Sequence, residues 1–114
     1  GESMEITTVQ YKRCYLVKLT GRLDSGAAPQ FADAVNKLMD DGHFRLVMDL
    51  SKLEFMSSAG LRVLISAQKN CKRYNRGEVV LAALPKNILA AMELAGFTEL
   101  FEIYEDVLTA VGNF

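Results

Sequence analysis

Short apolar runs alternate with stripes of helical period along almost the whole of this chain, and that alternation leaves few architectures open. Glu5–Gln10 and Cys14–Thr20 read as strands, the second alternating Tyr15, Val17 and Leu19 against Leu16 and Lys18. The polar link Tyr11–Arg13 makes them a hairpin. Gly21 begins a turn carrying Arg22, Leu23, Asp24, Ser25 and Gly26, and a helix follows with Pro29 in its first turn, where a missing N–H costs little. Phe31, Ala34, Val35, Leu38 and Met39 form one stripe for burial, with Asp33, Asn36, Lys37 and Asp40 opposite and Gly42 as the stop. Arg45–Leu50 reads as a strand covered on both faces, because Leu46, Val47 and Met48 are apolar without alternation.

The segment Asp49–Met56 leads out of that strand into Ser57 and Ser58, where a second helix starts and runs to about Tyr74. It directs Leu61, Leu64, Ile65 and Cys71 inward and leaves Arg62, Lys69 and Arg73 outside; Asn75 and Gly77 break it. Val79–Ala83 is a short buried strand. Pro85 starts a helix with Ile88, Leu89, Met92 and Ala95 inward, and Gly96 ends it. Leu100–Tyr104 is a last strand and Glu105–Val111 a closing helix with an acidic start. The order β-β-α-β-α-β-α-β-α predicts one α/β domain: a mainly parallel mixed sheet of about five strands with about four helices and right-handed crossovers.

Charge narrows the function classes. Thirteen basic residues face 14 acidic ones for a net charge of −1, with no basic stripe along the sequence, so nucleic acid is not an expected partner. No apolar stretch approaches the length of a membrane span and no signal segment is seen, so the expected compartment is the cytoplasm. Gly1, Glu2 and Ser3 ahead of Met4 look like an expression remnant, leaving 4–114 as the domain. Cys14 and Cys71 lie far apart, outside any Cys-x-x-Cys or Cys/His cluster, and are expected to be buried, reduced thiols. No metal site is expected from them and the single His43. Without coiled-coil heptads, a monomer is the default.

In open α/β sheets, sites form beyond the carboxyl ends of the strands. Two turns fall there: Gly21–Gly26, with Asp24, and Phe55–Gly60, with Ser57 and Ser58. The first N–H groups of a helix lack partners within it, and the helix dipole adds roughly half a positive charge. Ala59 and Gly60 are small enough for an anion to approach the backbone. A phosphate on Ser58 would gain those donors and carry about −1.5 to −2 charge. A serine here also serves simply as an N-cap. Asp24 likewise either caps the first helix or lies beside Ser58 to orient its hydroxyl. Catalytic residues are not expected: His43 falls at the opposite sheet edge, and neither a Gly-x-Ser-x-Gly elbow nor a Gly-x-x-x-x-Gly-Lys-Ser/Thr loop occurs.

The stretch from Asp49 to Leu64, Asp-Leu-Ser-Lys-Leu-Glu-Phe-Met-Ser-Ser-Ala-Gly-Leu-Arg-Val-Leu, resembles the signature of STAS-domain anti-sigma factor antagonists. Gly21-Arg22-Leu23-Asp24 followed by Ala28-Pro29 and Phe31, and the late Met92, Leu94, Gly96 and Phe97, are similar to the family's other recurring segments. The resemblance implies a phosphoprotein whose acceptor, matched by position, is Ser58, with Ser57 the alternate and Asp24, Ala59, Gly60 and Arg62 around it. It implies as partners an anti-sigma factor that is also a serine kinase, and a PPM-type serine phosphatase. The unphosphorylated protein binds the anti-sigma factor and releases the sigma factor, and phosphorylation ends the binding. No cofactor belongs to the chain itself, since ATP and magnesium go with the kinase. The family's commonest motif has Asp where this chain has Ser57, and Ser or Thr where it has Ala59. The alternative is a STAS interaction module of another signalling or transporter-associated complex, without a phosphorylation switch.

Overall fold

The apolar runs hydrogen-bond to one another in sequence order. The computed structural model describes residues 4–114; Gly1, Glu2 and Ser3, with their reading as a remnant, lie outside the described residues. Strands β1 (Glu5–Gln10), β2 (Tyr15–Leu23), β3 (Arg45–Met56), β4 (Glu78–Ala82) and β5 (Glu102–Tyr104) form one sheet in the order β1-β2-β3-β4-β5. β1 is antiparallel to β2, from Gln10↔Tyr15 at the hairpin to Glu5↔Thr20, and the remaining neighbours are parallel. Helices α1 (Ala28–Asp40), α2 (Ser58–Lys72) and α3 (Lys86–Leu94) connect the parallel strands, and α4 (Val107–Gly112) closes the described chain.

Strands that advance one place at a time, joined by crossovers of one hand, send their helices to the same face. Phe31, Val35, Leu38 and Met39 of α1, Leu64, Ala67 and Cys71 of α2, and Ile88 and Met92 of α3 all share one core with Val17, Leu19, Leu46, Met48, Leu50, Val79 and Leu81. The other face carries Leu16, Val47, Val80 and Ala82, covered by Ala110 of α4. That two-sided burial explains why Leu46, Val47 and Met48 are apolar in succession. Both thiols are free and buried. Burial pushes Cys71 up to about 11, against a smaller opposite pull from Arg76, and raises Cys14 as well.

Several ends differ from the sequence expectation, each for a visible reason. β2 and β3 run past Thr20 and Leu50 because Gly21, Arg22 and Leu23 pair with Leu53, Phe55 and Met56 through two register shifts. Leu23 and Leu53 are buried there, and the Arg22 guanidinium lies 4.5 Å from the Phe55 ring centroid. So Gly21–Leu23 is strand, and only Asp24 onward is turn. α2 stops at Lys72, before a single 3-10 turn over Arg73–Asn75 in which Tyr74 takes φ 58°. Ala83 leaves β4 with φ 57°. Leu100 belongs to a 3-10 turn (Thr98–Leu100), not to β5. Ala95, expected inward, is exposed because α3 ends at Leu94 and Ala95 is its C-cap. Helix α4 begins later than expected because Asp106 caps it, accepting from the Thr109 N–H at 2.8 Å.

Candidate functional site

The carboxyl ends of β2 and β3 meet where the Ser57 N–H donates to the Leu23 carbonyl at 2.8 Å. This bond sets the Asp24 turn beside the Ser57–Ser58 turn, as the sheet order requires. Ser57 is the N-cap of α2: its backbone is extended (φ −80°, ψ 167°) and its hydroxyl oxygen accepts from the Gly60 N–H at 3.1 Å. The Leu61 N–H is taken by the Ser57 carbonyl at 3.0 Å. Ser58 is the first helical residue, exposed, and its hydroxyl makes no hydrogen bond among the described residues. The two serines therefore divide the roles that the sequence left together. Ser57 serves the helix; Ser58 keeps a free hydroxyl at the surface.

Gly60 is buried. A Cβ at this position would come within 2.5 Å of Leu23 Cγ and 2.7 Å of Cδ2, so the glycine exists for the packing of α2 on β2. Its smallness does not open the backbone to an anion. Ala59 is half-buried and, with Arg62, lines a shallow groove on the α1 side, together with Ala32, Asn36 and Ser66. Arg62 is exposed, one helical turn beyond Ser58. Asp24 is half-buried, and its Oδ1 accepts from the Ala27 N–H at 2.9 Å, while its carbonyl accepts from Ala27 and Ala28. The helix itself starts at Ala28 with no side-chain cap, so Asp24 holds the turn ahead of α1.

On the other side of Ser58 is a feature absent from the sequence expectation. A groove of about 370 Å³ runs between α2 and α3, lined mainly by Phe55, Leu61, Ile88, Ala91, Met92 and Phe97, with Ser57 and Ser58 on its margin. Phe55 keeps 38% of its surface exposed and Leu94, on the same helix as Met92, keeps 92%. The signal was present in α3. Ile88, Leu89, Ala90, Ala91, Met92, Leu94 and Ala95 give that helix almost no polar side, yet only Ile88 and Met92 are buried. A helix apolar all round is expected to be covered.

His43 packs against Tyr15 with the rings tilted and their centroids 4.5 Å apart, ahead of the first residue of β3, whereas Ser58 follows its last. No group of three or more His, Cys, Asp or Glu suited to a metal occurs among the described residues. No helix among them is long and apolar enough to cross a membrane.

Comparison with known proteins agrees with this fold. The family model described as STAS domain matches residues 5–110. BtrV of Bordetella bronchiseptica, provisionally named an anti-sigma factor antagonist, is 31% identical over 100 residues, 88% of this chain and 85% of its own. The anti-sigma-F factor antagonist RsfB of Mycobacterium tuberculosis is 26% identical over 111 residues, 96% of this chain and 91% of its own. Among solved structures, the Bacillus cell fate determinant SpoIIAA in its phosphorylated form has a TM-score of 0.75 at 14% identity, covering 96% of this chain and 98% of that one. At that identity the likeness shows the fold.

Proposed function

The chain belongs to the STAS-domain family, and from that membership we propose that it is an anti-sigma factor antagonist switched by phosphorylation of Ser58. The observation that carries the reading is the position of Ser58. It is an exposed hydroxyl, free of the capping bond that occupies Ser57, on the margin of an apolar groove. In the unmodified state the groove, the Ser58 ridge and Arg62 dock an anti-sigma factor that is also a serine kinase, and the sigma factor is released. The partner brings ATP and magnesium; this chain supplies the acceptor and acts as a regulator, not a catalyst. Asp24, in the neighbouring turn at the same edge, helps the partner orient the hydroxyl.

Phosphate suits the start of α2 electrostatically, because the N–H groups of Ser58 and Ala59 precede the first internal bonds of the helix. Helix α2 therefore persists when Ser58 is modified. What changes is the docking margin, where about two negative charges would have to be desolvated beside Phe55 and Leu61. A cost of several kcal/mol there weakens binding roughly a hundredfold or more. A PPM-type phosphatase resets the switch. The cycle belongs in the cytoplasm, where kinase and sigma factor reside.

The test is to incubate the chain with its cognate kinase and ATP and map the phosphate by mass spectrometry. One phosphate on Ser58, absent from Ser58→Ala and retained in Ser57→Ala, is expected. Phosphate on Ser57, or none at this turn, contradicts the assignment; the alternative of a STAS module without a switch predicts no phosphate at all.

A further inference from the structure

The opposite end of the sheet gathers cations that the sequence scatters. The β1–β2 turn brings Lys12 and Arg13, the start of β3 brings Arg45, and the segment between α2 and β4 brings Arg76. They line one concavity of about 370 Å³ whose remaining walls include Tyr15, His43 and Phe44, and no Asp or Glu lines it. Arg76 is held as a fixed wall. Its guanidinium lies 3.9 Å from the Phe44 ring centroid and donates to the Asn70 carbonyl at 2.6 Å, Asn70 Oδ1 at 2.7 Å and the Arg73 carbonyl at 3.1 Å. Lys12, Arg13 and Arg45 are exposed, and among the described residues none of them makes an ion pair; the one found joins Lys37 to Asp41. Glu78 sits opposite Arg45 across β3 and β4 and lines with it a neighbouring groove, so Arg45 stands between the two while Glu78 stays outside this one.

We propose that this concavity binds a small molecule bearing phosphoryl groups. Arg13 and Arg45 provide two uncommitted forked donors suited to tetrahedral oxyanions, Lys12 adds an ammonium and Arg76 its remaining Nη1, with no carboxylate on the wall to repel them. Converging positive charge in a recess also raises the local concentration of anions. The hollow is the size of a small-ligand pocket and not of an extended polymer track. The site lies at the far end of β3 from Ser58, so it stands independently of the switch.

The probe is inorganic pyrophosphate, titrated at low ionic strength into the ¹⁵N-labelled chain and into an Arg13→Glu/Arg45→Glu variant, whose spectrum also reports its fold. Saturable shifts confined to residues 11–15, 43–45 and 76, with affinity roughly tenfold or more weaker in the variant, are expected. Shifts that do not saturate, that centre on Ser58 and Ala59, or that persist unchanged in the variant overturn the proposal. Citrate binding as tightly as pyrophosphate overturns the phosphoryl assignment. Tighter binding of a short RNA spreading over other surfaces would make the hollow part of a polymer site instead.

Discussion

Replacing Ser57 by alanine removes the oxygen that holds the Gly60 N–H, and replacing Ser58 removes a hydroxyl that holds nothing within the fold. Urea unfolding should show Ser57→Ala less stable by about 1 kcal/mol and Ser58→Ala unchanged to within about 0.5 kcal/mol. Equal losses would mean the two serines share the cap. Gly60→Ala offers a second test, because the added carbon meets Leu23, itself fully buried and unable to move away. A loss of about 1–3 kcal/mol is expected despite the better helix propensity of alanine. In a double-mutant cycle with Leu23→Ala the clash should vanish, so the double mutant loses less than the sum of the two single losses. The sequence located the serine pair at a helix start, but a cap and a first helical residue are chemically alike. Only the extended backbone of Ser57 separates them. Gly60 was legible as small and not as packed, since its neighbour Leu23 is 37 residues away in a strand that outruns its apolar pattern.

The first three helices were legible from their apolar residues and the last from its acidic start, and what was missed came from contacts that such patterns do not encode. Gln68, which the apolar stripe passes over, falls on the inward face of α2 between Leu64 and Cys71 and is buried. In the fold its amide donates to the Val79 and Leu100 carbonyls at 3.0 and 2.8 Å and accepts from the Val79 N–H at 2.6 Å, tying α2 to β4 and to the turn before β5. Gln68→Leu leaves three backbone groups without that partner and should cost about 1–3 kcal/mol or more in chemical unfolding. A neutral result would show that water replaces the amide. Helix α3 presents the reverse case: apolar side chains that the chain itself leaves uncovered. Ala91 lines the groove and is exposed, so Ala91→Glu should fold normally, within about 0.5 kcal/mol of the parent, while binding of the anti-sigma partner falls roughly tenfold or more. Unchanged binding would remove α3 from the docking surface.

The two proposed sites lie at opposite ends of the parallel strands of the mixed sheet. Element order made the carboxyl-end site legible, because a β-to-α turn after a parallel strand must lie there. The cationic hollow was not legible: Lys12, Arg13, Arg45 and Arg76 meet only once strand order is known, and a net charge of −1 conceals them. The core between the ends holds Cys71 as a neutral thiol. Its pKa of about 11, against 9.0 for an unperturbed thiol, adds stability in full below pH 9 that is lost as pH rises toward 11. Cys71 should accordingly resist alkylation below pH 9 except through unfolding, and rapid labelling of the native chain would contradict its burial. The central claim concerns the end that carries Ser58. The most direct measurement is the affinity of the cognate anti-sigma kinase for this chain, titrated by calorimetry with Ser58 unmodified and with Ser58 stoichiometrically phosphorylated. A Kd roughly a hundredfold or more weaker for the phosphorylated chain, with the helical circular dichroism unchanged, is the predicted result. Equal affinities for the two forms would contradict it.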